Sequence, residues 1–265
     1  MRDACEDLRA ECRELAEFCA GLSAQDWHRL TDFYDWRVWD EIAHLHYSDR
    51  TALQSVTDPA AFTAGIPELA KAFAAGKKIR EMGHEAFGHL DGPALLASWR
   101  DCFESLAAAL LETDPSARLP WYGPSMGVRS FISARLMETW ARGQDIWDLL
   151  QRPRGGTARL RAIAHLGVTT FGWTFANRKL PVPPRAPFVE LQAPNGETWA
   201  WGEPSAFERV WGSAQDFCLL VTQRRHRSDT SLQWSGNAAE RWTAMAQCFA
   251  GPPTDGPVAG ARVAI

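Results

Sequence analysis

Residues 135–150 read RLMETWARGQDIWDLL, and the fold turns on them. Leu136, Met137, Trp140, Ile146, Trp147 and Leu149 recur at helical intervals, and the spacing predicts a helix from Val128 to Leu150. Within it Glu138, Arg142 and Asp145 stand at i, i+4 and i+7, on one stripe with Arg135 and Ala141. On an exposed helix such a stripe is an ion-pair ladder worth about 0.2–0.5 kcal/mol per pair. On a helix this apolar it also fits the wall of a cavity between helices, where bundles place their sites.

A second stretch has the same character. Residues 36–50 read WRVWDEIAHLHYSDR and enter a helix expected from Val38 to Val56. His44 and His46 are two residues apart, so at about 100° per residue they point about 200° apart and only one can serve a given site. His44 shares its face with Asp40, Tyr47 and Ser48. The commoner role of a lone helical histidine is as a satisfied core or surface group, so the pattern alone leaves its function open.

Outward from these two stretches, helices are expected at Arg2–Leu22, Pro67–His89 and Pro93–Glu112, giving five long helices in the first 150 residues. Pro59 reads as the end of the second helix. The loop DPSARLPWYGPSMG (114–127) precedes the fifth. At QRPRGGT (151–157) proline and two glycines break the pattern, so domains are expected at 1–152 and 157–252, with a loose tail at 253–265. In the second, a helix over Thr157–Asn177 leads to FVELQAPNGETWAWG (188–202), a hairpin signal around Pro-Asn-Gly. A helix over Ser205–Thr222, a strand in SLQWSG (231–236) and a closing helix over Asn237–Phe249 follow. The fold class is therefore α+β, a helical bundle followed by a smaller α+β domain.

The composition is that of a globular protein: 28 Lys+Arg against 32 Asp+Glu, 46% hydrophobic and 23% charged residues. Disordered and fibrous classes are excluded. No apolar run approaches the roughly 18 residues of a spanning helix, and MRDACEDLRAEC at the start is charged at once, so no membrane partner and a cytoplasmic location are expected. The basic residues are too scattered for nucleic acid. Cys5, Cys12 and Cys19 repeat every seven residues, which spreads them over roughly 20 Å of helix at about 1.5 Å per residue. They read as core positions rather than a metal or redox cluster. Tryptophan is abundant, 13 against 3 Tyr.

The runs WRVWDEIAHL, LPWYGPSM, ARLMETWARGQD, HLGVTTFGWTFANRKLPVP and WGSAQDFCLLVTQRRHRSDT, taken in order, resemble the mycothiol-dependent maleylpyruvate isomerase family of the DinB-like superfamily. The resemblance spans about residues 5–252. It implies a DinB-like bundle and an α+β C-terminal domain. It further implies a divalent metal, zinc or nickel, held by a histidine matching His44 and by a Glu and a His four residues apart. Glu138 matches the Glu. Where the family's ETWAHGQD has its second histidine, this chain has Arg142. Arginine is always protonated and has no lone pair to give a metal, and His46 faces the other side of its helix. The metal site is expected to be lost, with no cofactor required. If a metal were kept, His44 and Glu138 would be its ligands, and mycothiol would remain the thiol that the resemblance implies.

What replaces the metal follows from charge. The Arg142 guanidinium reaches Glu138 at i−4 and Asp145 at i+3, keeps both ionised, and stabilises an enolate or carboxylate. With His44 as general acid or base the pocket performs isomerisation, cyclisation or a related proton transfer on a carbonyl-containing, apolar small molecule, a secondary-metabolite intermediate. Tyr47, Asp49, Trp121, Tyr122 and Trp140 are candidates to line it, and Arg224 of the basic QRRHR segment is a weaker one. Two alternatives stand beside this reading: a non-catalytic small-molecule binding or resistance protein in which Arg142 only neutralises Glu138, and a metal- and thiol-dependent enzyme with an unusual site.

Overall fold

Cys5, Leu8, Cys12, Leu15, Ala16 and Cys19 form one buried stripe of α1 (Arg2–Ala20), and that stripe makes α1 a bundle helix. The three cysteines are core residues: Cys12 Sγ lies 3.7 Å from the Thr139 hydroxyl, and burial pushes the Cys19 thiol up to about 12. In the computed structural model, which describes residues 1–262, the chain divides into two compact units, Met1–Leu149 and Leu150–Ile265. The chain is α+β. Among the described residues no helix is long and apolar enough to cross a membrane.

In the first unit α1 packs on α5 (Gly92–Glu112) and α6 (Val128–Leu149), and α2 (Val38–Thr57) packs on the same two, closing a four-helix ring. Its centre is filled by Leu15, Ile42, Leu45, Leu95, Trp99, Phe131 and Ile132. The expected helix over 67–89 is two helices, α3 (Pro59–Ala74) and α4 (Ile79–Phe87), both leaning on α2. Gly76, at φ 90°, makes the break. Pro59 opens α3 rather than closing α2. Its missing N–H is one the first turn leaves unpaired anyway, and the Asp58 side chain caps Ala61 N–H at 3.0 Å. Strands β1 (Arg118–Leu119) and β2 (Met126–Gly127) pair across the loop before α6.

Gly92, at the start of α5, admits the buried Trp27 ring: a Cβ there would stand 2.2 Å from Trp27 Cδ2. Gly92→Ala is expected to cost about 1–3 kcal/mol, the price of overpacking, read as a lowered urea midpoint at unchanged m-value.

The second unit carries a four-stranded sheet in the order β4-β3-β5-β6. β3 (Phe188–Gln192) and β4 (Thr198–Trp201) form the expected hairpin, with Gly196 at φ 85° in its turn. β5 (Arg209–Ser213) lies parallel to β3, Val189 opposite Val210, and β6 (Gln233–Ser235) pairs with β5. The expected helix over 205–222 is therefore a strand followed by α9 (Ala214–Val221), capped by Ser213 onto Asp216 N–H at 3.0 Å. The 157–177 helix divides into α7 (Leu160–Thr169) and α8 (Phe171–Asn177), where the Thr169 and Thr170 hydroxyls donate to carbonyls one turn back. α10 (Asn237–Thr243) ends early because Cys248 N–H turns to the Val221 carbonyl, 2.9 Å away. Part of the expected loose tail is tied down: the Thr254 hydroxyl donates to Gln223 Oε1 at 2.6 Å, and Asp255 pairs with Arg178 at 2.8 Å. Its last three residues, 263–265, lie outside the described residues.

Candidate active site

His44 sits in the middle of α2 and turns toward α6, where its Nε2 lies 3.5 Å from Glu138 Oε2. One turn along α6, Arg142 Nε stands 3.7 Å from that same oxygen. The predicted i, i+4 pair is present, but the closer carboxylate is on α2: Arg142 Nη1 donates to Glu41 Oε2 at 3.2 Å. Glu41 is fully buried, and its other oxygen accepts from the Thr31 hydroxyl at 3.1 Å. The guanidinium carbon lies 4.2 Å from the Phe33 ring centroid and 4.7 Å from that of Trp36, a cation–π enclosure. The Trp36 ring also meets His44, centroids 5.5 Å apart. Phe33 and Trp36 are held by the turn before α2, where Thr31 N–H donates to Trp36 O at 2.7 Å.

These neighbours set the protonation states. Burial, then the charge of Arg142, pushes His44 down to about 4 against the opposing pull of Glu138. Burial alone would raise the Glu138 carboxyl, but the His44 hydrogen bond and Arg142 hold it well below the usual carboxylate range. At neutral pH the centre is a neutral imidazole, a carboxylate and a guanidinium. A carboxylate facing Nε2 fixes the proton there, leaving the lone pair on Nδ1, a buried atom with no hydrogen-bond partner.

The remaining predicted residues fall in several places. Asp145 is buried on α6 one turn past Arg142, and Trp140 is also buried. Asp49 does not line the centre: its oxygens accept from Arg135 Nε and Trp99 Nε1, both at 2.8 Å, in the bundle interior. Trp121 stacks on Phe62 with 5° between the rings and touches Tyr122 and Phe131, an aromatic cluster nearer the start of α6. Tyr47 faces the Arg50 guanidinium at 5.5 Å. Arg224 lies in the second unit, donating to Thr222 O at 2.7 Å. His46 faces away, as its spacing requires, toward the Ser98 hydroxyl at 3.1 Å and the Phe87 ring.

Sequence reasoning missed Glu41 and Phe33 as parts of this centre. Glu41 carried a usable signal, since it precedes His44 by three residues on one helix face. Phe33 had none, because only the turn's tertiary position brings it over Arg142.

As a metal site the centre offers two donors, His44 and Glu138, and a cation without a lone pair at the third position. Among the described residues no group of three or more His, Cys, Asp and Glu side chains is placed to hold a metal ion. The donor set does not fit a divalent cation.

The chain belongs to the family of the mycothiol maleylpyruvate isomerase N-terminal domain, whose model matches residues 8–147. A model described as wyosine base formation matches residues 183–232. Uncharacterized proteins from two strains of Mycobacterium tuberculosis are each 44% identical over 253 residues, covering 94% of this chain and 96% of the relative. Two crystal structures of mycothiol-dependent maleylpyruvate isomerase, one of a mutant, share the fold with TM-score 0.53 at 13% identity, covering 84% of this chain and 88% of theirs.

Proposed function

We propose that this chain is a small-molecule enzyme in which the Arg142 guanidinium does the work of a metal ion, catalysing isomerisation, cyclisation or a related proton transfer on a carbonyl-containing substrate. One observation carries the reading: a guanidinium fixed by two carboxylates and two aromatic rings stands beside a neutral histidine whose own carboxylate partner leaves a lone pair available. His44 takes the proton from the carbon next to the carbonyl. The electron pair moves onto the carbonyl oxygen, and Arg142 stabilises the resulting enolate. The proton then returns to a different carbon, or the enolate carbon adds to a second carbonyl carbon of the same substrate, whose π bond breaks and whose oxygen takes the proton from His44, closing a ring. Glu138 keeps the imidazole in the required tautomer and stabilises its protonated form. The Trp36 ring beside both His44 and Arg142 supports an apolar, flat substrate body.

The test is turnover of carbonyl substrates, maleylpyruvate first, with and without chelator. Activity is expected to survive chelation and to fall about 10²–10³-fold in Arg142→Met, the loss typical of one oxyanion donor. Activity abolished by chelator and restored by zinc or nickel would overturn the proposal. The pH profile gives the base. His44 works unprotonated, so kcat/KM should be flat near neutrality and decline only as pH falls through about 4. A decline centred near the ordinary histidine value of about 6.5 would exclude His44 in this environment.

A further inference from the structure

Away from this centre, a cavity of about 300 Å³ opens at the end of the bundle where α5 begins. It shares no lining residue with the His44 site. Its walls are two indoles held rigidly. Trp27, almost fully buried, packs against the missing side chain of Gly92, and Trp39 Nε1–H donates to the Leu90 carbonyl at 3.1 Å. The His84 ring lies against Trp39, centroids 4.9 Å apart. Arg37 and His28 complete the rim, both exposed.

Its acids are already committed. Asp40 Oδ1 meets His84 Nε2 at 2.6 Å, while Oδ2 receives Arg80 Nη2 and the Arg37 backbone N–H, each at 2.8 Å. The Asp91 side chain is turned to Ala94 N–H at 2.9 Å, capping α5. The Arg37 guanidinium forms no ion pair among the described residues and is the cation left over at the mouth. A cavity at the small end of the roughly 300–1,000 Å³ range of ligand pockets takes one or two fused rings. Indole walls select a flat aromatic body, and a guanidinium fork selects a carboxylate in preference to a neutral group.

We propose that the cavity between Trp27, Trp39 and Arg37 is a second small-molecule site that takes a flat aromatic carboxylate. Calorimetric titration of the full chain with indole-3-carboxylate and with its neutral carboxamide tests it. The carboxylate is expected to bind saturably at one equivalent per chain, and the carboxamide at least about tenfold more weakly. Arg37→Ala should weaken the carboxylate by a similar factor, and raised salt should weaken it as well, since Arg37 is exposed. His44→Ala should bind it as the unaltered protein does. No saturable carboxylate binding, equal binding of the carboxamide, or binding lost in His44→Ala and kept in Arg37→Ala would each overturn the proposal. The comparison of the two ligands uses the unaltered protein, so it stands even if a variant fails to fold.

Discussion

Asp49→Ala lowers the stability of the first unit by about 3–5 kcal/mol, the cost of stranding a buried charge, and shows this in urea as a midpoint shifted with little change in slope. The effect is large because Asp49 is fully buried and serves two elements at once. It accepts from Arg135 Nε on α6 and from Trp99 Nε1 on α5, both at 2.8 Å. Arg135 is itself 4% exposed, and one of its terminal nitrogens, Nη2, already has no hydrogen-bond partner. Removing the carboxylate leaves a guanidinium in the interior with no neutral form to retreat to. Removing both charges differs in kind: Asp49→Leu with Arg135→Met should recover most of the loss, since a well-packed apolar pair of similar volume replaces a buried ion pair at little cost. If the double variant is no better than Asp49→Ala, the loss lies in packing rather than in the stranded cation.

Arg142→His has a two-sided result. Without metal the variant is expected to lose about 3–5 kcal/mol, because Glu41, fully buried, gives up its guanidinium partner. With metal it changes character. An imidazole at 142 stands one turn from Glu138 and across from His44, three donors of the kind zinc and nickel take. Elemental analysis is expected to find about one ion per chain, and a metal concentration of about 100 times Kd should return about 2.7 kcal/mol of stability. Adding Glu41→Gln relieves the apo protein without touching the three donors. A variant that folds and takes up no metal would show that 142 does not project to the point His44 and Glu138 share.

Much of this centre was legible in one dimension. The i, i+4 spacing of Glu138 and Arg142 fixes them on one helix face whatever the helix packs against, and the i, i+2 spacing of His44 and His46 forces them apart; both hold in the structure. Glu41 was overlooked because its partner is 101 residues away, on another helix. Asp49 was placed at the wrong centre for the converse reason: its helix face was known, but not that α5 and α6 supply Trp99 and Arg135 to consume both oxygens. The strand β5 was missed because Phe207, Val210, Trp211, Ala214 and Phe217 follow helical intervals, and it is pairing with β3 on one side and β6 on the other that makes residues 209–213 extended.

By itself, then, the sequence determined the local matters: where apolar stripes run, which side chains share a face, which family the ordered motifs belong to, and that a cation stands at position 142. Tertiary structure decided what those side chains meet. It turned Arg142 toward Glu41 under Phe33 and Trp36, kept the His44 imidazole neutral by burying it beside a positive charge, and spent Asp49 on the core. Helical periodicity depends on neighbours within a turn or two, whereas desolvation and pairing depend on groups brought together across a hundred residues of chain.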